Sequence, residues 1–231
     1  IVLIAEGKPV FIHTGIEQNF KISAEQLEAA ITPRTKMFVI NSPSNPSGGV
    51  YSVDELKALG AVLRKYPQIL IATDDMYEHI LLSDQKFCNI VNACPDLFPQ
   101  TVVLNGVSKA YSMTGWRIGY CGGPAHIITA MENVQSQSTS NPSSISQAAA
   151  EVALNADQSC ITPMVSAFKE RNVYVTEQLN QIHGIRCLSS DGAFYAFADV
   201  RQAMEDVYRK NLIEAANDIA FSEYLLESAG V

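Results

Sequence analysis

The stretch V-S-K-A-Y-S-M-T-G-W-R-I-G-Y, Val107 to Tyr120, decides how the chain reads. It follows an apolar run, Thr101 to Leu104, with the character of a strand, which puts Lys109 on a turn. Ser108 stands beside the lysine, and Arg117 lies further on between Gly115 and Gly119. A lysine on a tight loop can form an imine with an aldehyde. A hydroxyl and a guanidinium nearby can hold a phosphate. Pyridoxal 5'-phosphate carries an aldehyde and a phosphate on one ring, and the stretch suggests that cofactor. An isolated Ser-Lys pair reads more readily as a solvated surface lysine with an ordinary ion-pairing arginine, so the rest of the chain must decide.

Upstream, apolar runs alternate with helical patterns. Met37 to Ile40 and Ile69 to Thr73 are continuous apolar runs, the signature of strands buried on both faces. Two capping boxes, Ser23 with Gln26 and Ser52 with Glu55, open helices between them. The second helix carries Leu56, Leu59, Val62 and Leu63 on one side. Ile1 to Ala5 and Pro9 to His13 read as short strands around Gly7, and Arg117 to Cys121 as one more. This strand-helix-strand order predicts an α/β fold: a mostly parallel sheet flanked by helices in three layers. Ligands in such sheets sit beyond the carboxyl ends of the strands. Asn45, in the turn-rich N-S-P-S-N-P-S-G-G, Asp74 and Lys109 each fall just past a different strand end, and that convergence makes them one candidate site.

Beyond Pro124 the character changes. Helices are expected over Ile127–Val134, Ser146–Leu154, Pro163–Leu179 and within Asn211–Ser228. Short strands of another kind are expected at Ile185–Leu188 and Phe194–Ala198. A boundary falls between about Asn155 and Pro163. Ile1 opens inside an apparent strand and Val231 follows an Ala-Gly pair closing an apparent helix, so part of a longer protein is expected.

Composition excludes several classes. The 231 residues are 47% apolar and 17% charged, a globular balance. A net charge of −8 argues against a nucleic-acid binder, which needs a basic face. No apolar run reaches the length of a membrane span, and no signal peptide opens the sequence. Cys88, Cys94, Cys121, Cys160 and Cys187 are odd in number and scattered, without zinc spacing or a CxxC pair; they read as reduced thiols of a cytoplasmic protein. The four histidines are isolated, so no metal site is assigned.

The chain resembles the pyridoxal-phosphate-dependent aminotransferases of fold type I, class I/II, and within them the bacterial aspartate aminotransferase group. N-S-P-S-N-P-S-G, D-D-M-Y-E-H and S-K-A-Y-S-M-T-G-W-R-I-G-Y occur in the family's order and at about its spacings. A-E-G-K-P-V, D-G-A-F-Y-A-F at Asp191 to Phe197, and the closing Y-L-L-E-S-A-G-V extend the likeness over the whole chain. The resemblance implies transamination between an amino acid, aspartate or a related one, and a 2-oxo acid. Lys109 matches the lysine that holds the cofactor as an internal aldimine and later moves a proton. Asp74 matches the carboxylate that pairs with the pyridine nitrogen; the adjacent Asp75 is its rival, and the D-x-x-Y spacing to Tyr77 favours Asp74. Tyr77 and Asn45 match residues that hydrogen-bond the phenolic oxygen, Ser108 and Arg117 phosphate ligands. A cis peptide is expected at Asn45–Pro46. Tyr111, Trp116, Tyr120, Phe194, Tyr195 and Phe197 read as packing residues, the last three on a half-buried strand.

The resemblance also implies a domain plan. Residues 1–160 would form the core of the cofactor-binding large domain, and 161–231 its end with an incomplete α+β small domain. A homodimer is expected. The family's N-terminal arm, Gly-containing phosphate loop, ring-stacking aromatic and substrate-carboxylate arginine are not among these residues, so little turnover is expected of this chain alone. A carbon–sulfur lyase or decarboxylase on the same scaffold, or an aminotransferase-like regulatory domain, remains open on the cofactor residues alone.

Overall fold

The computed structural model describes residues 2–230. Its centre is a four-stranded sheet in the order β1 (Met37–Asn41), β2 (Leu70–Asp74), β3 (Thr101–Gly106) and β4 (Gly119–Gly122). The first three strands run parallel, and β4 is antiparallel to β3. The expected mostly parallel sheet is therefore present. Register aligns Asn41 with Asp74 and Asp74 with Leu104, which brings the carboxyl ends of the parallel strands level.

One face of the sheet is covered by α1 (Ala24–Ala30), α2 (Val53–Leu63) and the short α3 (Ile90–Ala93). Both capping boxes form, each with its two reciprocal bonds. Leu56, Leu59, Val62 and Leu63 of α2 are buried against Ile40 and Ile71. Gly60 lets α2 approach the loop after α3: a Cβ there would stand 2.4 Å from Cys94 Sγ. The strands differ in burial. β2 is enclosed on both faces at Ile71, Ala72 and Thr73, as its apolar run predicts. β1 is not: Met37 is 50% and Val39 59% exposed. Phe38 and Ile40 pack inward, but β1 is an edge strand among the described residues and its other face, at Met37 and Val39, is exposed.

The expected strands before α1 are absent. Residues 2–6 form turns, and Pro9–His13 has no regular structure; Ile1 lies outside the described residues. A strand exists only where a neighbour completes its ladder. Here Ile12 and Thr14 face Phe38 and Val39 of β1 across a groove of about 190 Å³ instead of pairing with them.

After β4 come α4 (Ala125–Ser136), α5 (Ser144–Asn155) and α6 (Ile161–Asn180), all close to their expected places. α5 supports the lysine turn: Ala150 is buried with Val107 and Ile118. The second sheet has only two residues in each strand, β5 (Arg186–Cys187) and β6 (Ala198–Asp199), antiparallel. α7 (Arg201–Arg209) is a helix beyond those expected, and α8 (Asp218–Ala229) ends at Gly230 with φ +71°. Phe194 to Phe197 is not the expected strand. Ala193 takes φ +58°, which turns the chain, and its N–H donates to Ile80 O rather than to a strand.

Candidate active site

Three loops leave the level carboxyl ends of β1, β2 and β3. The first is tied down by Asn41. Its Oδ1 accepts from Asn45 N at 2.7 Å, and its Nδ2 donates to Asp74 O at 3.0 Å, so one side chain links the first loop to the end of β2. Ser42–Pro43 and Asn45–Pro46 are both cis; the second was expected, the first was not. The loop closes with Ser44 N donating to Gly49 O and Gly48 N to Ser44 O.

The second loop begins with the two neighbouring aspartates, and their surroundings separate them. Asp75 is 1% exposed and both its oxygens are taken, by Thr73 Oγ1 at 2.6 Å and Asn89 Nδ2 at 2.7 Å. Burial pushes its carboxyl up to about 6, against the pull of those two donors. Asp74 is half-buried at the very end of β2; its Oδ1 accepts from Met76 N at 3.2 Å. Asp75 is therefore a structural carboxyl, while Asp74 is the more exposed of the two and its charge acts on the Tyr77 phenol.

This difference predicts a pH effect. A carboxyl whose folded pKa is raised contributes stability below its unfolded pKa, near 4, and loses it as pH rises through about 6. Asp75→Asn is isosteric and cannot ionise. Its stability relative to the unsubstituted chain is expected to climb between pH 4 and pH 6, reaching a gain of about 2–3 kcal/mol at pH 7. Urea unfolding of both proteins at pH 4 and pH 7 checks this; a pH-independent difference would contradict it.

The third loop is the Val107–Tyr111 turn. Lys109 Nζ stands 5.7 Å from the centre of the Tyr77 ring and 5.5 Å from that of Phe194. Tyr77 is buried, and its hydroxyl lies 2.5 Å from that of Tyr195. Burial, then the ionised form of Tyr195 and the charge of Asp74, hold the Tyr77 phenol above its ordinary range, with the Asn45 side chain pulling the other way. Asn45, Asp74, Tyr77 and Lys109 thus form one cluster. Ser108 adjoins it, half-buried on the lysine turn. Arg117 is exposed at φ +56°, and its Nη1 donates to Thr114 O at 2.9 Å rather than to any member of the cluster.

Phe194 and Tyr195 pack against Tyr77 and Ile80 as expected, but from a turn and not from a strand, and Phe194 stands beside Lys109 and the Tyr195 hydroxyl beside that of Tyr77. They arrive on the segment 189–195, which is fastened to the first two loops. Gly192 N donates to Gly48 O at 2.9 Å, Leu82 N to Asp191 O at 2.8 Å, and Ser190 Oγ to Tyr195 O at 2.6 Å. Asn172 of α6 holds the same segment through Ser190 O. No local pattern announces these contacts, because their partners are distant in the chain.

The donor set fits pyridoxal phosphate. It offers an amine whose described contacts are aromatic faces, a carboxylate at a strand end, a phenol held protonated with an amide beside it, and a hydroxyl adjoining the amine. The profile of the family "Aminotransferase class I and II" matches residues 1–231. An aspartate/prephenate aminotransferase of Nitrosomonas europaea is 72% identical over the whole chain, and one of Cereibacter sphaeroides is 47% identical. The chain spans 58% of the length of each. Among solved structures, the aspartate aminotransferase of Rhizobium meliloti superposes with a TM-score of 0.90 at 44% identity, over 99% of this chain and 57% of that one. An aromatic aminotransferase of Pyrococcus horikoshii gives 0.88 at 30% identity, over 100% and 58%.

Proposed function

Because the chain belongs to the class I and II aminotransferases, we propose that it carries the cofactor-binding machinery of a pyridoxal-phosphate-dependent transamination between an amino acid and a 2-oxo acid. The observation that carries this reading is the position of Lys109, past the end of β3 and between the rings of Tyr77 and Phe194. Bound pyridoxal phosphate supplies the electron sink for bond-breaking at the substrate α-carbon. Lys109 would hold the cofactor's aldehyde end and would move the substrate α-proton. Asp74 would keep the ring nitrogen protonated. Tyr77 and Asn45 would hydrogen-bond the phenolic oxygen. Ser108 and Arg117 would take the phosphate, for which a guanidinium fork is suited.

Aspartate stands in the names of the N. europaea and R. meliloti relatives, and prephenate, a 2-oxo acid, in the first. The reading therefore takes aspartate or a related amino acid as donor. The lyase, decarboxylase and regulatory readings use the same cofactor residues, and the relatives' names favour transamination over them. Five cysteines without a disulfide suit a cytoplasmic protein. Exposed Val134 on α4, with Ile145 and Val152 on α5, suits a homodimer. Residues 1–160 form the cofactor-binding core, and 161–231 complete it and begin a smaller domain. With 58% of its relatives' length, the 231-residue chain alone is expected to turn over little or no substrate.

The test is borohydride trapping. Pyridoxal phosphate is added, the imine is reduced, and the digest is mapped by mass spectrometry. Label is expected on the Lys109 peptide. Label scattered over surface lysines, in this chain and in a form of its relatives' full length, would overturn the reading.

A further inference from the structure

We infer that Tyr195 is a positioning residue of the site, donating its hydroxyl proton to Tyr77 so that the Tyr77 proton points at the cofactor's phenolic oxygen. The inference rests on the function proposed above. A phenol has one proton to give and lone pairs to receive. Two phenols 2.5 Å apart share one hydrogen bond, and its direction decides what Tyr77 presents to the site. If Tyr77 donates to Tyr195, it turns a lone pair toward an oxygen that is itself an acceptor. If Tyr195 donates, the Tyr77 proton is free for that oxygen and is made a stronger donor by the bond behind it.

The acceptor character of the cofactor's phenolic oxygen calls for the second arrangement. Asp74 and Asn45 both act on the Tyr77 phenol, and Lys109 stands over its ring. Tyr195 approaches from the other chain segment and packs edge-on to Tyr77, with ring centres 5.7 Å apart. Its backbone is held on two sides. Ser190 Oγ donates to Tyr195 O, while Gly48 and Gly192 let the segment come against the first loop. A Cβ on Gly192 would stand 2.8 Å from Pro43 Cβ and 3.0 Å from Ile80 O. Such a fastening places the Tyr195 hydroxyl; simple filling of space would need only the ring.

Tyr195→Phe keeps the ring and removes the hydroxyl, so folding is preserved. The first readout needs no cofactor. In protein labelled with ¹³C at the tyrosine ζ carbon, the Tyr77 signal is identified by its loss in Tyr77→Phe. It is expected to move in Tyr195→Phe, and an unmoved signal overturns the inference. The second readout is the pH midpoint of the visible absorbance change after pyridoxal phosphate is bound. A hydrogen bond to the phenolic oxygen draws off charge that would otherwise hold the neighbouring imine proton. Weakening it in Tyr195→Phe is expected to raise the midpoint by roughly 0.2–0.7 pH unit. Tyr77→Phe is expected to raise it more, and the double variant no further than Tyr77→Phe alone. An unchanged midpoint, or additive shifts in the double variant, overturns the inference while trapped label at Lys109 leaves the functional reading standing. Label away from Lys109 overturns both.

Discussion

Lys109→Ala is expected to retain no reducible cofactor and to lose transamination. In the 231-residue chain, borohydride label on the corresponding peptide falls to background. In a form spanning its relatives' full length, the rate falls by at least about 10²–10⁴-fold, the share a positioned acid–base group supplies. The fold should survive. The described contacts of the lysine amine are two aromatic faces, which contribute only about 0.5–1 kcal/mol at a partly exposed site. The thermal midpoint therefore moves by no more than a few degrees. Near-normal turnover by a well-folded Lys109→Ala protein would remove the central assignment. Loss of turnover together with loss of folding would show a structural role, and the melting curve separates the two.

Gly48→Ala is expected to have the largest effect on stability. Gly48 takes φ +69°, a left-handed conformation that L side chains rarely adopt. Its added Cβ would also stand 2.4 Å from Ser190 Cβ and 2.9 Å from Gly192 O. Ser190 cannot retreat without loosening its bond to Tyr195 O, and Gly192 cannot without breaking its bond to Gly48 O. Backbone strain and overpacking together cost roughly 2–4 kcal/mol. For a chain of this size the thermal midpoint falls by about 5–15 °C. Gly115→Ala is the control. Nothing lies within 4 Å of a Cβ there, so its change should stay within about 0.5 kcal/mol. Equal melting curves for the two variants would show that the segment 189–195 is not fastened to the first loop.

What could be read from the sequence was local or set by strand ends. Ser23 and Ser52 announced their helices because a capping box is complete within four residues. Asn45, Asp74 and Lys109 could be grouped because each follows an apolar run, and parallel strands bring such ends level. Other features depended on neighbours that a single stretch does not contain. The exposure of Met37 and Val39 follows from β1 lying at an edge, which its apolar run does not state. Pro9–His13 has the composition of a strand but no ladder to join. Asp75 and Asp74 are adjacent and alike in kind; the D-x-x-Y spacing to Tyr77 favours Asp74, but the burial of Asp75 shows only in the fold, through Thr73 and Asn89. Tyr195 reads only as packing in the sequence because the hydroxyl it meets, that of Tyr77, is far back in the chain.

That separation, 118 positions between the two bonded hydroxyls, has a kinetic consequence. Closing a loop of that length costs roughly 4 kcal/mol of chain entropy, against almost nothing for the capped helices. Tertiary contact between Tyr77 and Tyr195 therefore belongs to the last stage of folding. During synthesis at roughly 5–20 residues per second, Tyr195 leaves the ribosome about 4–17 s after Lys109. For those seconds the nascent chain displays its reactive amine without Phe194 or Tyr195 beside it. The function proposed above therefore predicts late cofactor capture, timed by the arrival of a segment that carries none of the proposed bond-making groups.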